Sequence, residues 1–173
     1  MRDDCPSKGP RTDDWYCRAV TYADTFTQDI ARSFMKEFEK ITGKRPYIIK
    51  DNLHRSKMDP NREIERAAQH NEEAEVAYNE FHKFILEARA EVQKDGPGLL
   101  VDLHGMTHTH EKLEIGYLYK PKDLNAGDYT VDVYSMQALM ARTGMSPQEW
   151  LSGEHSLGAL FEREGYLAIP SPR

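Results

Sequence analysis

Residues Leu99-Leu100-Val101-Asp102-Leu103 form a nearly continuous apolar run, and His104-Gly105 follows it at once. A run of this kind is expected of a strand covered on both faces. In open α/β sheets, ligands bind outside the carboxyl ends of the strands. The sequence therefore predicts a site at His104, with Gly105 letting the backbone turn sharply away beneath it. Side chains alternate along a strand, so Asp102 falls on the same side as His104 and opposite Leu103. An imidazole at a strand end is a good zinc ligand, and nearby carboxylates commonly orient such ligands. The competing reading is a structural histidine satisfied by a local hydrogen bond.

The remaining pattern alternates helix with strand. Phe26, Ile30, Phe34, Phe38 and Ile41 recur at helical spacing, and Gly43 is a natural stop, which predicts a helix over 24–42. Pro46 to Lys50 is a short β-prone run, expected as an inner strand. Residues 51–62 are polar, are broken by Pro60, and read as a loop. A long helical stretch over 63–94 follows, with an interruption at His70-Asn71, and Gly96-Pro97-Gly98 ends it. Leu113 to Tyr119 is a third strand candidate, and Tyr134 to Thr143 reads as a helix. Ser146-Pro147-Gln148-Glu149 is a capping-box start for another helix. Ser156 to Glu164 makes a last short helix, stopped by Gly165 before the apolar Tyr166–Ile169. This order predicts an α/β sandwich, a mostly parallel or mixed sheet flanked by helices, as one domain over 1–173 with an irregular segment at 1–22.

Composition narrows the partners. The chain has 173 residues, 39% of them hydrophobic and 30% charged, which is ordinary for one folded domain. A net charge of −6 gives no reason to propose nucleic acid or an anionic membrane, since the average surface repels both. No apolar run approaches the roughly 20 residues that span a bilayer. MRDDCPSKGP lacks the apolar core of a signal peptide, so a secreted chain is expected to have lost its signal. Cys5 and Cys17 flank a short loop rich in Pro, Gly and charge and are either bridged or free thiols. The compartment stays open, with the extracellular one preferred over the cytoplasm.

The loop after the first strand carries Arg55, Lys57, Asn61 and Arg62. A guanidinium offers a planar fork that grips a carboxylate with two bonds, and an amide beside it adds a donor. This content suits a small acidic or peptide-like substrate; a solvated basic turn is the alternative.

Together, RPYIIKDNLHRSKMDPNRE and GLLVDLHGMTHTHEKLEIGYL resemble the N-formylglutamate amidohydrolase family, whose members show an arginine, a D-x-N-R element and a D-x-H-G or D-x-H-S strand end. That family in turn looks like a remote relative of the zinc carboxypeptidases, and the likeness extends to SLGALFEREGYLAIPSP. The resemblance implies a zinc-carboxypeptidase-like sandwich in which His104 is the later zinc ligand and Asn61 with Arg62 is the carboxylate clamp. It implies that Arg55 stabilises the oxyanion or holds the substrate. Asp24, which opens the first helix where the family has an acidic residue, is the candidate acidic ligand; a helix N-cap is the other reading of it.

The chain departs from the family pattern in two places. It has no histidine before His54, where a first metal ligand is expected, and it stops at Arg173, before the expected glutamate that activates water. His108, with His110 beside it, can replace the missing ligand, and Glu114 can serve as the catalytic carboxylate. His54 either lines the pocket or faces water; His70, His82 and His155 read as helix or surface residues. The expected function is a zinc-dependent hydrolase of N-acyl amino acids or peptides. The alternative is a secreted, non-catalytic relative that keeps an anion pocket and binds a carboxylate ligand or a protein partner. A third possibility is a fragment of a longer enzyme.

Overall fold

Helices dominate because the strongest local signals in the chain are helical. In the computed structural model, which describes residues 22–106, 108–129 and 135–172, helix α1 spans Thr27–Thr42. Phe26 turns the chain into it with a left-handed backbone at φ 63°, and the Thr27 hydroxyl donates to the Asp24 carbonyl at 3.2 Å. Gly43, at φ 68°, ends it with its N–H on the Glu39 carbonyl. The apolar stripe of α1 is not buried: Ile30 is 54% and Ile41 79% exposed.

Two units make up the chain, Met1–Met106 and Thr107–Arg173. In the first, α1 is followed by α2 (Ile64–Ala68) and α3 (Glu72–Lys94). Gln69 and His70 both adopt positive φ, which separates α2 from α3 where the sequence reading placed an interruption. Asn71 caps α3 by accepting from the Ala74 N–H at 2.9 Å. Glu72, Glu73 and Glu75 crowd the first turn, where the helix dipole favours negative charge. Met58 from the loop packs with Ala68 and Ala74, against Ile64, Ala77 and Tyr78. Met58 is only 1% exposed, and burying such a side chain contributes about 1.5–3 kcal/mol. The 51–62 loop is therefore anchored at Met58 and Asp59, while Asn52, His54, Lys57, Asn61 and Arg62 stay exposed.

The second unit contains β1 (Leu113–Glu114), α4 (Pro121–Ala126), α5 (Gln137–Thr143), α6 (Pro147–Ser152), α7 (Leu157–Arg163) and β2 (Ala168–Ile169). Pro121 and Pro147 stand at helix starts, where a missing N–H costs nothing. Ser146 and Ser156 cap α6 and α7 by accepting from the N–H groups of Glu149 and Ala159. β1 and β2 pair in parallel, Leu113 opposite Ala168 and Glu114 opposite Ile169. Gly158 packs so tightly under the segment after β2 that a Cβ there would collide with the Pro170 carbonyl oxygen.

The α/β sandwich expected from the sequence is overturned. The described residues are 48% helix and 3% strand, and among them β1 and β2 form the only sheet. Leu99–Leu103 and Pro46–Lys50 form neither helix nor strand, and Leu113–Tyr119 is a strand only over its first two residues. Leu99 is 75%, Leu100 63% and Val101 56% exposed, where a central strand would be covered. The physical reason is that an apolar run sets strand preference but supplies no neighbour to take its N–H and C=O groups. The predicted features at Cys5 and Cys17 lie outside the described residues. No described helix is long and apolar enough to cross a membrane.

Candidate metal and anion site

The 51–62 segment carries its own organiser. Asp59, buried at 6% exposure, accepts from Arg55 Nε at 3.0 Å and from the Asn61 backbone N–H at 3.2 Å. Arg62 Nε lies 3.7 Å from the same carboxylate. The Asp59 N–H donates to the Ala67 carbonyl at 3.2 Å and its carbonyl accepts from the Arg62 N–H at 3.1 Å, so backbone and side chain fix the turn together. The sequence reading missed Asp59. Its signal was the D-P-N-R order, since an Asp two residues before Asn61 can close an Asx turn onto the backbone.

Arg55 links this turn to the chain before α1. Its Nη1 lies 3.6 Å from Asp24 Oδ1 and donates to the Tyr22 carbonyl at 3.4 Å. Asp24 does not cap α1; that position is held by Phe26, with no side-chain cap bond. Instead Asp24 Oδ2 meets His104 Nδ1 at 3.0 Å, across 80 positions of sequence. His104 Nε2 meets Asp102 Oδ2 at 3.1 Å, a contact across two positions. Gly105 sits against Asp24, where a Cβ would approach the Asp24 Cα and Cβ to 3.2 Å. Asp24, Arg55 and His104 are thus brought together, with Asp59 and Asp102 behind them.

Burial pushes the Asp24 carboxyl up, but hydrogen bonds from His104 and the Gly105 N–H, with the charges of His104 and Arg55, outweigh it and hold it below its ordinary value. Burial likewise pulls His104 down, yet its hydrogen bond to Asp24 and the charge and hydrogen bond of Asp102 raise it overall. The carboxylates of Asp24, Asp59 and Asp102 face two guanidiniums and one imidazole. The cluster is neutral when His104 is protonated and carries one net negative charge when it is not.

Two donors of a metal site fit here. Nδ1 of His104 and Oδ2 of Asp24 share one proton position, and Asp102 on Nε2 is placed as the outer carboxylate that commonly orients a metal-bound imidazole. No third ligating side chain joins Asp24 and His104 among the described residues. Asn61 and Arg62 are exposed beside Asp59, and Arg62 makes no ion pair among the described residues except that with Asp59.

His108 and Glu114 lie in the second unit, where Glu114 Oε1 meets His108 Nδ1 and, at 3.2 Å, His110 Nε2. His54 closes a local turn, its Nδ1 2.8 Å from Ser56 Oγ. His82 packs against Tyr78 and Phe81, its ring centroid 4.2 Å from that of Tyr78. An open groove of about 600 Å³ runs between residues 47–52 and α3, lined by Tyr47, Ile48, Phe84, Glu87 and Glu91 among others, and no member of the charged cluster lines it. The chemistry therefore sits on an accessible surface and not in that groove. Comparison with family models, with curated proteins and with solved structures found no match for this chain.

Proposed function

We propose that the chain is a zinc-dependent amide hydrolase of the N-formylglutamate amidohydrolase kind, acting on N-acyl amino acids or peptides that carry a free carboxylate. The observation that carries this reading is the convergence of Asp24 and His104 at 3.0 Å with Asp102 on the far imidazole nitrogen. Asp24 and His104 would hold the zinc, which supplies a polarised acyl carbonyl and a water of lowered pKa when bound. Charge supports it: with His104 neutral the cluster carries one surplus negative charge, and a divalent ion makes it positive and suited to an anionic substrate. Asp102 fixes the His104 ring. Arg55, held between Asp24 and Asp59, stands next to the reacting group as an oxyanion or substrate partner. Asn61 and Arg62, exposed on the same turn, take the substrate carboxylate.

Hydrolysis of N-formyl and N-acetyl amino acids by zinc-loaded protein, lost in Asp24→Asn and His104→Gln, is the expected result. Folded, zinc-loaded protein inert towards both substrate classes refutes the activity.

A second reading is favoured by one specific observation. Arg55 and a protonated His104 already balance Asp24 without metal, and a catalytic zinc generally uses three protein ligands where two converge. On that reading the chain is a non-catalytic carboxylate-binding relative. It predicts Arg62-dependent binding of acidic ligands that persists in the presence of a chelator.

A further inference from the structure

The second unit holds a donor set that the proposed hydrolase site does not use. We infer that His108, His110 and Glu114 form a separate surface site for a divalent transition-metal ion of the zinc class. One ligating atom from each lies within 4.8 Å of the others, and this is the only group of three such side chains among the described residues.

The backbone explains why they meet. Glu114 is the second residue of β1, and the bonds from Leu113 N–H to the Leu167 carbonyl and from Ile115 N–H to the Ile169 carbonyl, both 2.8 Å, hold it on either side. Just upstream, the Lys112 N–H turns back onto the His110 carbonyl at 3.0 Å. That tight turn brings an imidazole four residues away onto the strand's carboxylate, and His108 arrives beside it. The two rings are tilted by 60° with centroids 5.5 Å apart, so they converge edgewise and do not stack.

The electrostatics favour a cation among them. Both imidazoles aim a nitrogen at the single oxygen Oε1 of Glu114. Each neutral ring has one nitrogen lone pair to offer, and the carboxylate adds a charged oxygen. A divalent ion can take one donor from each of the three side chains. Two imidazoles and one carboxylate form an N/O donor set of the kind that binds zinc, cobalt, nickel or copper, whereas calcium and magnesium prefer oxygen alone. All three residues are exposed, so water completes the coordination. The bound ion would clasp the 108–112 turn to β1.

The site stands apart from the Asp24–His104 reading, and its test is made in a chain from which that pair is removed. The full chain carrying Asp24→Asn and His104→Gln is titrated with cobalt(II), whose visible absorption reports nitrogen coordination, and then with zinc as competitor. The expected result is one equivalent of cobalt with a visible band, displaced by zinc. Adding His108→Ala, His110→Ala or Glu114→Gln should each weaken binding by at least about tenfold. An unchanged far-UV spectrum confirms that each variant is folded. No saturable cobalt or zinc binding in the starting variant, or binding indifferent to all three further substitutions, overturns the site. As a second readout, zinc should shift the ring resonances of His108 and His110 and leave that of His155 in place. A shift at His155 alone also overturns it.

Discussion

Asp24 Oδ2 lies 3.0 Å from His104 Nδ1, and each residue is held from behind, Asp24 by Arg55 and Gly105 and His104 by Asp102. A proton or a metal ion can occupy the position between them. The two occupants give opposite dependences on pH, because protons compete for a metal ligand but create an ion pair.

In metal-free protein the pair should give a stability plateau. His104 is raised above its ordinary 6.5, so its contribution is fully present below that value and is lost as pH rises through the folded-state value. Asp24 is held below 3.8, so its contribution is present above 3.8 and is lost as pH falls through the folded-state value. With chelator present, thermal midpoints across pH should fall on both sides of that window. The alkaline fall should flatten in His104→Gln; an identical profile in that variant contradicts the ion pair.

Asp59→Asn should destabilise the first unit. The substitution turns one of two accepting oxygens into a donor and removes the charge shared by Arg55 and Arg62. The expected loss is about 1.5–3 kcal/mol, typical of hydrogen bonds to charged groups. Urea unfolding checks it, and a loss comparable to an ordinary surface substitution counts against Asp59 as the organiser of the turn.

Met58→Ala tests the anchoring of the same segment by packing. Met58 is fully buried against Ala68 and Ala74, so truncation should cost about 2–5 kcal/mol. Leu53→Ala, at a position 47% exposed, should cost far less. Equal effects of the two substitutions would show that 51–62 is not packed as described.

Arg62→Ala should weaken binding of acidic ligands by roughly 1.5–3 kcal/mol where its guanidinium takes their carboxylate. Calorimetry with an N-acyl glutamate is the measurement. Unchanged affinity removes Arg62 from the clamp.

What could be read from the sequence followed the range of the interactions involved. Helix ends were legible because caps act over three or four residues: Gly43, Asn71, Ser146 and Ser156 all stand at the ends of helices. The sheet was misread because Leu99–Leu103 has strand character but its pairing depends on residues that composition does not identify. The Asp102–His104 contact spans only two positions, so it is present without the sheet expected around it. The meeting of Asp24 with His104 was suggested by resemblance and not by any local pattern. Asp59 went unremarked because a carboxylate in a polar stretch reads as solvated until Met58 and Ala67 are seen to bury the turn. Helix α4 escaped notice too, since Pro121–Ala126 is too short to show a period.

Zinc stoichiometry tests the central claim most directly, measured by elemental analysis in a His108→Ala/His110→Ala background so that only the first unit can contribute. One equivalent of zinc that disappears on adding His104→Gln or Asp24→Asn is the predicted result. A folded protein that takes up no zinc in that background, or keeps its zinc without His104, contradicts it.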